Sequence, residues 1–370
     1  MIRLSRSIVG TEEIVRVTKV LNEGYLGMGT QVKEFEENLQ AYIGGVAKVA
    51  CVNTGTSALH LACQAIGLQD GDEVLVPSLT FVATYQAISA TGATPVSCDV
   101  NSEDALLDLV DAEKRITSRT KALVYVHYAS GFGDLDKVYA FARKYNLRII
   151  EDAAHSFGGS YKGKKIGSFG DITCFSFDGI KNITSGEGGA VVSRDVEVMQ
   201  RVQDARLLGV EKDTVKRFSG QRSWDFDVTA QGWRYHMSNI MAAIGLAQLE
   251  RFENEFAPVR RKYAQVYREK LSSCDQVHFL KHDEGTVPHI MPILARSRRD
   301  ELREYLISHG VESGIHYKPN HMLSFYKKDQ QALPRTEKLY GELLTLPLHP
   351  GLSESDILKI TQLITEFYLK

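Results

Sequence analysis

The sequence contains few cysteines and none of the spacings that bind a metal ion. Its five cysteines are an odd number, are widely spaced and form no CxxC pair (Cys51, Cys63, Cys98, Cys174, Cys274). A disulfide framework or a zinc site would need closer and more regular spacing. We therefore expect reduced thiols and no metal.

The sequence also lacks an excess of charge of either sign. Charged residues make up 24% of the chain and the formal net charge is −2, which does not favour nucleic acid or an acidic membrane surface. No apolar run approaches the roughly 18 residues needed to cross a bilayer, and residues 1–13 lack the apolar stretch of a signal peptide. We therefore expect a cytoplasmic protein that binds neither nucleic acid nor a membrane.

Short apolar runs alternate with amphipathic helical patterns along the first two thirds of the chain. Helical patterns at 56–66 and 135–145 separate some of the β-rich runs, which lie at 48–53, 73–77, 95–100, 122–127, 147–152, 172–177 and 189–193. This alternation is typical of an α/β fold with a mostly parallel sheet covered on both faces.

The pattern changes to mainly helical from about Asn239. A long helical stretch with Pro258 near its middle is followed by a strand-like run at 287–294 and a final helix at 356–368. We predict a large domain over 1–250 and a smaller α+β domain over 251–370, with helical patterns crossing the boundary.

Four segments follow or precede predicted strands, at the edge where open α/β sheets bind ligands. The first opens a helix with Gly55, Thr56 and Ser57, whose backbone N–H groups and hydroxyls would suit a phosphate. Taken alone, an ordinary turn with a helix cap explains this segment better. The fourth segment, 185–189, taken alone is only a glycine-rich turn.

The second and third segments carry ionisable groups. Asp152 follows Glu151 at the end of an apolar strand, where a carboxylate needs a cation such as a pyridinium nitrogen, or else a structural ion pair. Ser176 ends the next strand, and Lys181 follows in a glycine-containing loop. An enclosed lysine is partly neutral and can form an imine, whereas a lone lysine is usually a solvated charge.

Together these segments resemble the DegT/DnrJ/EryC1/StrS sugar aminotransferases, which are fold-type I enzymes dependent on pyridoxal 5′-phosphate (PLP). The resemblance spans nearly the whole chain. It rests on GTSALHLA (55–62), VPSLTFVAT (76–84), EDAAHSFG (151–158), FSFDGIKNITSGEGGA (175–190), GWRYHMSNIMAAIGLAQLERF (232–252), GIHYKP (314–319) and LTLPLHPGLSESD (344–356). The resemblance implies an aspartate aminotransferase-like fold, with a large mixed sheet domain and a smaller C-terminal α+β domain.

The resemblance also implies a role for each matching residue. Lys181 would be catalytic, forming the imine with PLP and later moving a proton. Asp152 would pair with the pyridinium nitrogen, Phe81 would stack on the ring, and His155 would lie near the ring's oxygen or face. The phosphate would be held by Gly55, Thr56, Ser57 and Ser176, and the substrate would be bound by His316 and Tyr317.

Two segments depart from the family's pattern. Residues 232–236 read GWRYH where relatives read G-Y-N-Y-R, so Arg234 replaces an asparagine that reaches the phosphate of the partner subunit. An arginine could make that contact with charge assistance. The resemblance therefore implies a homodimer whose active sites are completed by the partner. Residues 127–136 also differ, and nothing in the sequence explains that change.

The expected reaction moves an amino group from L-glutamate to a nucleotide-linked keto sugar, for surface polysaccharide such as O-antigen or for another glycoconjugate. Lys181 favours this over the family's dehydratases, which carry histidine there. The stretch NITSGEGG resembles members that act at C4 of 4-keto-6-deoxy sugars. Two alternatives stay open, a regulatory protein with this fold and a PLP enzyme acting on a non-sugar cyclic ketone. A dinucleotide enzyme is disfavoured because no GxGxxG follows the opening strand.

Overall fold

The computed structural model describes residues 1–222, 224–327 and 332–370. Its first nine strands include a two-stranded hairpin, β6–β7, and seven strands that form one sheet. They are β1 (Lys48–Val52), β2 (Glu73–Pro77), β3 (Thr94–Cys98), β4 (Thr120–Val126), β5 (Arg148–Asp152), β6 (Ser160–Tyr161), β7 (Lys164–Lys165), β8 (Ile172–Ser176) and β9 (Gly189–Ser193).

The large sheet has the order β1-β9-β8-β5-β4-β2-β3. Strands β3, β2, β4, β5 and β8 run parallel to one another, and β9 runs antiparallel to both of its neighbours, β1 and β8. The predicted mixed, mostly parallel α/β sheet is therefore confirmed. The carboxyl ends of six strands meet at one edge, where β9 begins.

Successive residues of the central strands pack into two different cores. Leu75 and Leu123 belong to one apolar cluster, and their neighbours Val74 and Val124 belong to another. Because side chains alternate between the faces of a sheet, each face has its own covering layer. This explains why the strands read as continuous apolar runs in the sequence.

The helices that cover the sheet begin at side-chain caps in several places. Thr54, Asp134, Asp195 and Ser238 each accept a hydrogen bond from a backbone N–H of the following helix. The helices of this part are α1 (Thr11–Glu23), α2 (Thr30–Tyr42), α3 (Gly55–Ala65), α4 (Val82–Ser89), α5 (Leu109–Lys114), α6 (Leu135–Tyr145), α7 (Val196–Ala205), α8 (Asp213–Phe218) and α9 (Asn239–Arg251).

A π-helical turn, Phe252–Phe256, joins α9 to α10 (Ala257–Lys270). Pro258 lies in the first turn of α10, where a residue without an N–H is tolerated next to the widened turn. The helical stretch is therefore continuous across the predicted boundary near residue 250. The division into 1–250 and 251–370 stays a prediction.

The C-terminal part contains a second sheet, antiparallel and with the order β10-β11-β12. Its elements are β10 (Val277–Phe279), β11 (Met291–Ala295), α11 (Arg299–Ser308), α12 (Pro334–Glu342), β12 (Leu343–Leu346) and α13 (Glu354–Leu369). The strand predicted at 287–294 begins only at Met291. Pro288 has no N–H for a ladder, and the N–H of His289 is donated to Ser130 Oγ instead.

The N-terminal segment crosses to the C-terminal part, because Ile2 forms a parallel bridge with Val311. Among the described helices, none is long and apolar enough to cross a membrane.

A buried ion pair joins α2 to the end of α7 behind β1. Arg206 is 0% exposed and donates from Nη1 to Glu36 Oε1 and to the Cys51 carbonyl, which lies 2.7 Å away. Glu36 also accepts the Cys51 N–H at 2.7 Å. Burial raises the pKa of Glu36 despite the guanidinium beside it. Arg206 Nε and Nη2 have no hydrogen-bond partner in the described part of the chain. The buried charge of Arg206 is therefore compensated mainly by the Glu36 carboxylate.

We expect Glu36→Ala to lower the free energy of unfolding by about 3–5 kcal/mol, because it leaves the Arg206 charge buried and uncompensated. The matched control is Glu37→Ala, which removes a carboxylate that is 65% exposed and should change stability by less than about 0.5 kcal/mol. Urea unfolding followed by circular dichroism measures both. Equal effects of the two substitutions would contradict this account of the pair.

Candidate active site

A cavity of about 450 Å³ opens at the edge where the parallel strands end. Its walls come from the loops that follow β1, β2, β4, β5 and β8 and from the segment that carries His316 and Tyr317. Nine of the residues predicted from the sequence line it together, namely Gly55, Thr56, Phe81, Asp152, His155, Ser176, Lys181, His316 and Tyr317. Ser57 and Arg234 do not line it.

One pole of the cavity is formed by the amino terminus of α3 and the end of β8. A Cβ on Gly55 would lie 2.8 Å from Ser176 Cβ and 3.0 Å from Ser176 Oγ, so only glycine permits this approach. The first N–H groups of a helix have no acceptor within the helix, and they carry its partial positive charge. Thr56 and Ser176 add hydroxyls to the same wall. This pole can bind a phosphate.

Ser57 takes part in the helix cap instead of facing the cavity. Its hydroxyl donates a hydrogen bond to Asn53 Oδ1 at 2.7 Å, and the hydroxyl oxygen also lies 2.9 Å from the Thr54 carbonyl oxygen. Its N–H is donated to Thr54 Oγ1 at 3.0 Å. Both donors of Ser57 are therefore engaged in shaping the turn, and its predicted contact with a phosphate stays a prediction.

Asp152 presents a fixed carboxylate to the middle of the cavity. Its Oδ2 accepts the Thr84 hydroxyl at 2.8 Å and its Oδ1 accepts the Ala154 N–H at 3.3 Å. Burial raises the pKa of Asp152, and the Lys181 charge and these hydrogen bonds oppose that rise. A cationic ring nitrogen beside this carboxylate would favour its ionised form.

The neighbouring acid, Glu151, belongs to the opposite face of the sheet. Its Oε1 accepts the Tyr139 hydroxyl at 2.7 Å, and its Oε2 lies 3.1 Å from His127 Nε2. Only Asp152 of the two acids therefore faces the cavity, as the alternation of side chains along a strand requires.

Lys181 extends into the cavity from the loop after β8. Burial lowers the pKa of its amine to about 8, and the carboxylates of Asp152 and Asp178 oppose that decrease. A lysine with this pKa is neutral in about a tenth of molecules at pH 7, roughly 200-fold more than a solvated lysine. The amine is therefore available as a nucleophile and as a proton acceptor.

Aromatic and imidazole rings form the remaining wall. His155 Nε2 lies 3.1 Å from the Tyr317 hydroxyl, and the Tyr317 ring centroid lies 5.3 Å from that of Phe81. Phe81 is 54% exposed, so its ring can cover a flat ligand. Burial lowers the pKa of His155 well below its ordinary value, and its Nδ1 has no hydrogen-bond partner among residues of the described chain.

His316 is fixed on the same side of the cavity. Its Nδ1 lies 3.0 Å from Thr345 Oγ1, and its carbonyl accepts the Tyr128 hydroxyl. Burial and the Lys181 charge lower the pKa of His316 to about 4, so it is a neutral hydrogen-bonding group at physiological pH.

Arg234 lies on the outside of the subunit, in the segment that packs against β1 and α3. The Asn53 N–H is donated to the Tyr235 carbonyl at 2.7 Å, and Trp233 Nε1 donates to Gln64 Oε1 at 2.7 Å. The Arg234 side chain is exposed. It does not reach the cavity of its own subunit, so the predicted contact would require another subunit.

Sequence reasoning did not single out several residues that line or support the cavity, including Thr84, Tyr128, Asp178, Glu187 and His289. Thr84 could have been found, because it lies three residues after Phe81 at the start of a helix, and so on the same face. His289 lies more than 100 residues from Lys181 in a segment without periodicity, and no sequence signal indicates their contact.

This set of residues fits PLP. The amino terminus of α3 with Gly55 and Ser176 offers a phosphate site, Asp152 a carboxylate for the ring nitrogen, and Lys181 a partly neutral amine. The unpartnered Nδ1 of buried His155 leaves one polar atom that a bound molecule could satisfy.

Comparison with known proteins gives one consistent result. The model of the DegT/DnrJ/EryC1/StrS aminotransferase family matches residues 7–365. The chain is 38% identical over 342 residues to the GDP-perosamine synthase of Escherichia coli O157:H7, covering 92% of this chain and 91% of that protein.

Two solved structures show the same relationship. The aminotransferase TlmJ from Streptoalloteichus hindustanus superposes with a TM-score of 0.92 at 31% identity, covering 100% of this chain and 99% of that one. The protein Spr1654 from Streptococcus pneumoniae superposes with a TM-score of 0.91 at 28% identity, with 98% of each chain covered. Its structure has been solved in PLP and PMP forms. The expected cofactor and the expected enzyme class are thereby confirmed.

We expect Gly55→Ala to weaken PLP binding at least about tenfold and to lower stability by about 1–3 kcal/mol, because the new methyl group collides with Ser176. Gly341→Ala in α12 is the control, since nothing lies within 4 Å of its added Cβ. Fluorescence titration with PLP and thermal melts measure the two effects. Wild-type affinity and stability in Gly55→Ala would show that this close approach is unimportant.

Proposed function

Because the chain belongs to the DegT/DnrJ/EryC1/StrS aminotransferase family, we propose that it transfers an amino group from L-glutamate to a nucleotide-linked 4-keto-6-deoxy sugar. The observation that carries this proposal is the shared cavity of Lys181 and Asp152, in which an amine of lowered pKa lies with a buried carboxylate. The relative named GDP-perosamine synthase supports a nucleotide-linked amino sugar as the product.

When bound, PLP supplies an aldehyde carbon for the amine and a ring that withdraws electrons from the bond being broken. The residues of the chain would supply binding, positioning and proton transfer. Lys181 Nζ would hold the cofactor through its neutral amine and, when free, would accept a proton from the substrate carbon and later give it up again. Asp152 favours a protonated ring nitrogen, and Thr84 holds the Asp152 carboxylate in position.

The remaining assignments concern the phosphate and the substrates. Gly55, Thr56 and Ser176 would hold the phosphate at the amino terminus of α3, with Ser57 shaping the turn. Phe81 and His155 would contact the ring. His316 and Tyr317 would bind the substrate, since both line the cavity and are neutral.

We further propose a cytoplasmic homodimer in which each subunit's Arg234 reaches the phosphate site of its partner. The exposed position of Arg234 supports this arrangement, because its own subunit leaves that side chain unused at the cavity. All five cysteines are unpaired, as in a reducing compartment.

The direct test of function is the absorption spectrum of the purified protein with PLP, before and after addition of L-glutamate. We expect a band of imine-linked cofactor at the violet edge of the visible range, which glutamate bleaches. Lys181→Ala should lack that band without glutamate. Nucleotide-linked 4-keto sugars should restore it after bleaching. A protein without the band would favour a regulatory role, and restoration by cyclic ketones alone would favour a non-sugar substrate.

Asp152→Asn should keep the imine band but bleach with glutamate about 10²–10³-fold more slowly, because the neutral amide no longer favours a protonated ring nitrogen. Stopped-flow absorbance measures the rate of bleaching. The control is Asp136→Asn, which alters an exposed carboxylate on α6 and should bleach at the wild-type rate. Equal rates in wild type and Asp152→Asn would refute the proposed role of this carboxylate.

A further inference from the structure

A side chain from the C-terminal part of the chain lies within hydrogen-bonding distance of the Lys181 amine. His289 Nε2 lies 3.4 Å from Lys181 Nζ. His289 is 4% exposed and lies just before β11, whereas Lys181 follows β8 of the large sheet. The contact therefore joins the loop after β8 to the segment before β11 at the reactive amine.

The main chain of His289 is held from both sides. Its N–H is donated to Ser130 Oγ at 2.9 Å, and its carbonyl accepts Nη1 of buried Arg260 at 3.1 Å. Ser130 also donates to the His155 carbonyl, so one hydroxyl joins both histidines. These bonds fix the position of the His289 main chain.

The ring of His289 is fixed by packing as well. Its centroid lies 4.6 Å from that of His155, at an interplanar angle of 49°. Its Nδ1 has no hydrogen-bond partner within residues 1–222, 224–327 and 332–370. In that part of the chain, the Lys181 amine is therefore the hydrogen-bonding contact of the His289 imidazole.

Burial keeps the His289 imidazole neutral. It lowers the pKa of His289 well below the ordinary value, and Lys181, His155, Arg260 and His316 contribute in that order. The carboxylates of Asp152 and Asp178 raise the pKa of Lys181. A neutral imidazole next to an ammonium has one possible role in their hydrogen bond, that of acceptor.

We propose that His289 is a positioning residue that accepts a hydrogen bond from Lys181 Nζ whenever this amine is not joined to the cofactor. It thereby holds the displaced amine in the cavity between the two half-reactions. The proposal rests on the function proposed above for Lys181. A purely structural His289 would fill space between the large sheet and the C-terminal sheet and would leave the proton affinity of the amine unchanged.

The experiment measures the pKa of Lys181 in the full-length protein without added cofactor. An amine-reactive anhydride is applied across a pH series, and modification of the Lys181 peptide is quantified by mass spectrometry. We expect a midpoint near pH 8 in the wild type. Removing an acceptor destabilises the ammonium, so His289→Leu should lower the midpoint by about one unit.

Two further variants separate the hydrogen bond from packing. His289→Gln retains a side-chain oxygen that can accept, and its midpoint should lie closer to wild type than that of His289→Leu. His309→Leu alters an exposed histidine at the end of α11 and should leave the midpoint unchanged. An unchanged or raised midpoint in His289→Leu, or equal midpoints in the Gln and Leu variants, would overturn the proposal.

A second measurement avoids any change at His289. The ¹⁵N NMR signal of His289 Nε2 in the wild type should shift in Lys181→Ala, because its donor has been removed, while the His309 signals stay in place. An unmoved His289 signal would overturn the proposal. Because both experiments omit the cofactor, their failure is distinct from absence of the PLP band, which would refute the proposed function itself.

Discussion

The enclosure of an amine and a carboxylate in one cavity is the constraint on which the rest of the site depends. Burial disfavours the charge on Lys181 and the charge on Asp152, and each charge partly offsets the cost of the other. The amine is left with a pKa of about 8, near enough to neutrality to act as nucleophile and as proton carrier. Exposure of either group to water would return its pKa to the ordinary value.

The sheet makes this enclosure possible. Six strands deliver their carboxyl ends to the same edge, and β9 enters at that edge in the opposite direction, which lets a glycine-rich turn close the loop that carries Lys181. The close approach of α3 to β8 at Gly55 shapes the wall of the cavity where a phosphate is proposed to bind. The C-terminal part then covers the cavity with His316 and Tyr317, and its His289 contacts the Lys181 amine.

Local pattern predicted much of this arrangement. The apolar runs predicted the strands of the large sheet to within about two residues at each end, because strands buried on both faces need continuous apolar sequence. The residues that follow parallel strands meet at one edge of the sheet because of its topology. This convergence places Asp152, Ser176 and Lys181 at one edge of the sheet, and the resemblance to the family assigned them to one site. The strand expected at 287–294 was wrong at its start, because Pro288 and the bond from His289 to Ser130 interrupt the ladder.

Other features depend on three-dimensional contacts that pattern does not encode. The hydroxyl of Ser57 can cap a helix or face a ligand, and only the rotamer decides between them. The contact of His289 with Lys181 links loops that adjoin different sheets, and the role proposed for the exposed side chain of Arg234 would require another subunit. Such assignments require the packing of the whole chain, which the spacing of residues cannot supply.

The central claim is that one amine, that of Lys181, holds the cofactor. Borohydride reduction of the PLP-loaded protein, followed by peptide mapping, tests it most directly because reduction makes the imine linkage permanent. The account predicts one phosphopyridoxyl group per chain, on the peptide that contains Lys181. A label spread over surface lysines, or fixed on another lysine while the Lys181 peptide is unmodified, would contradict it.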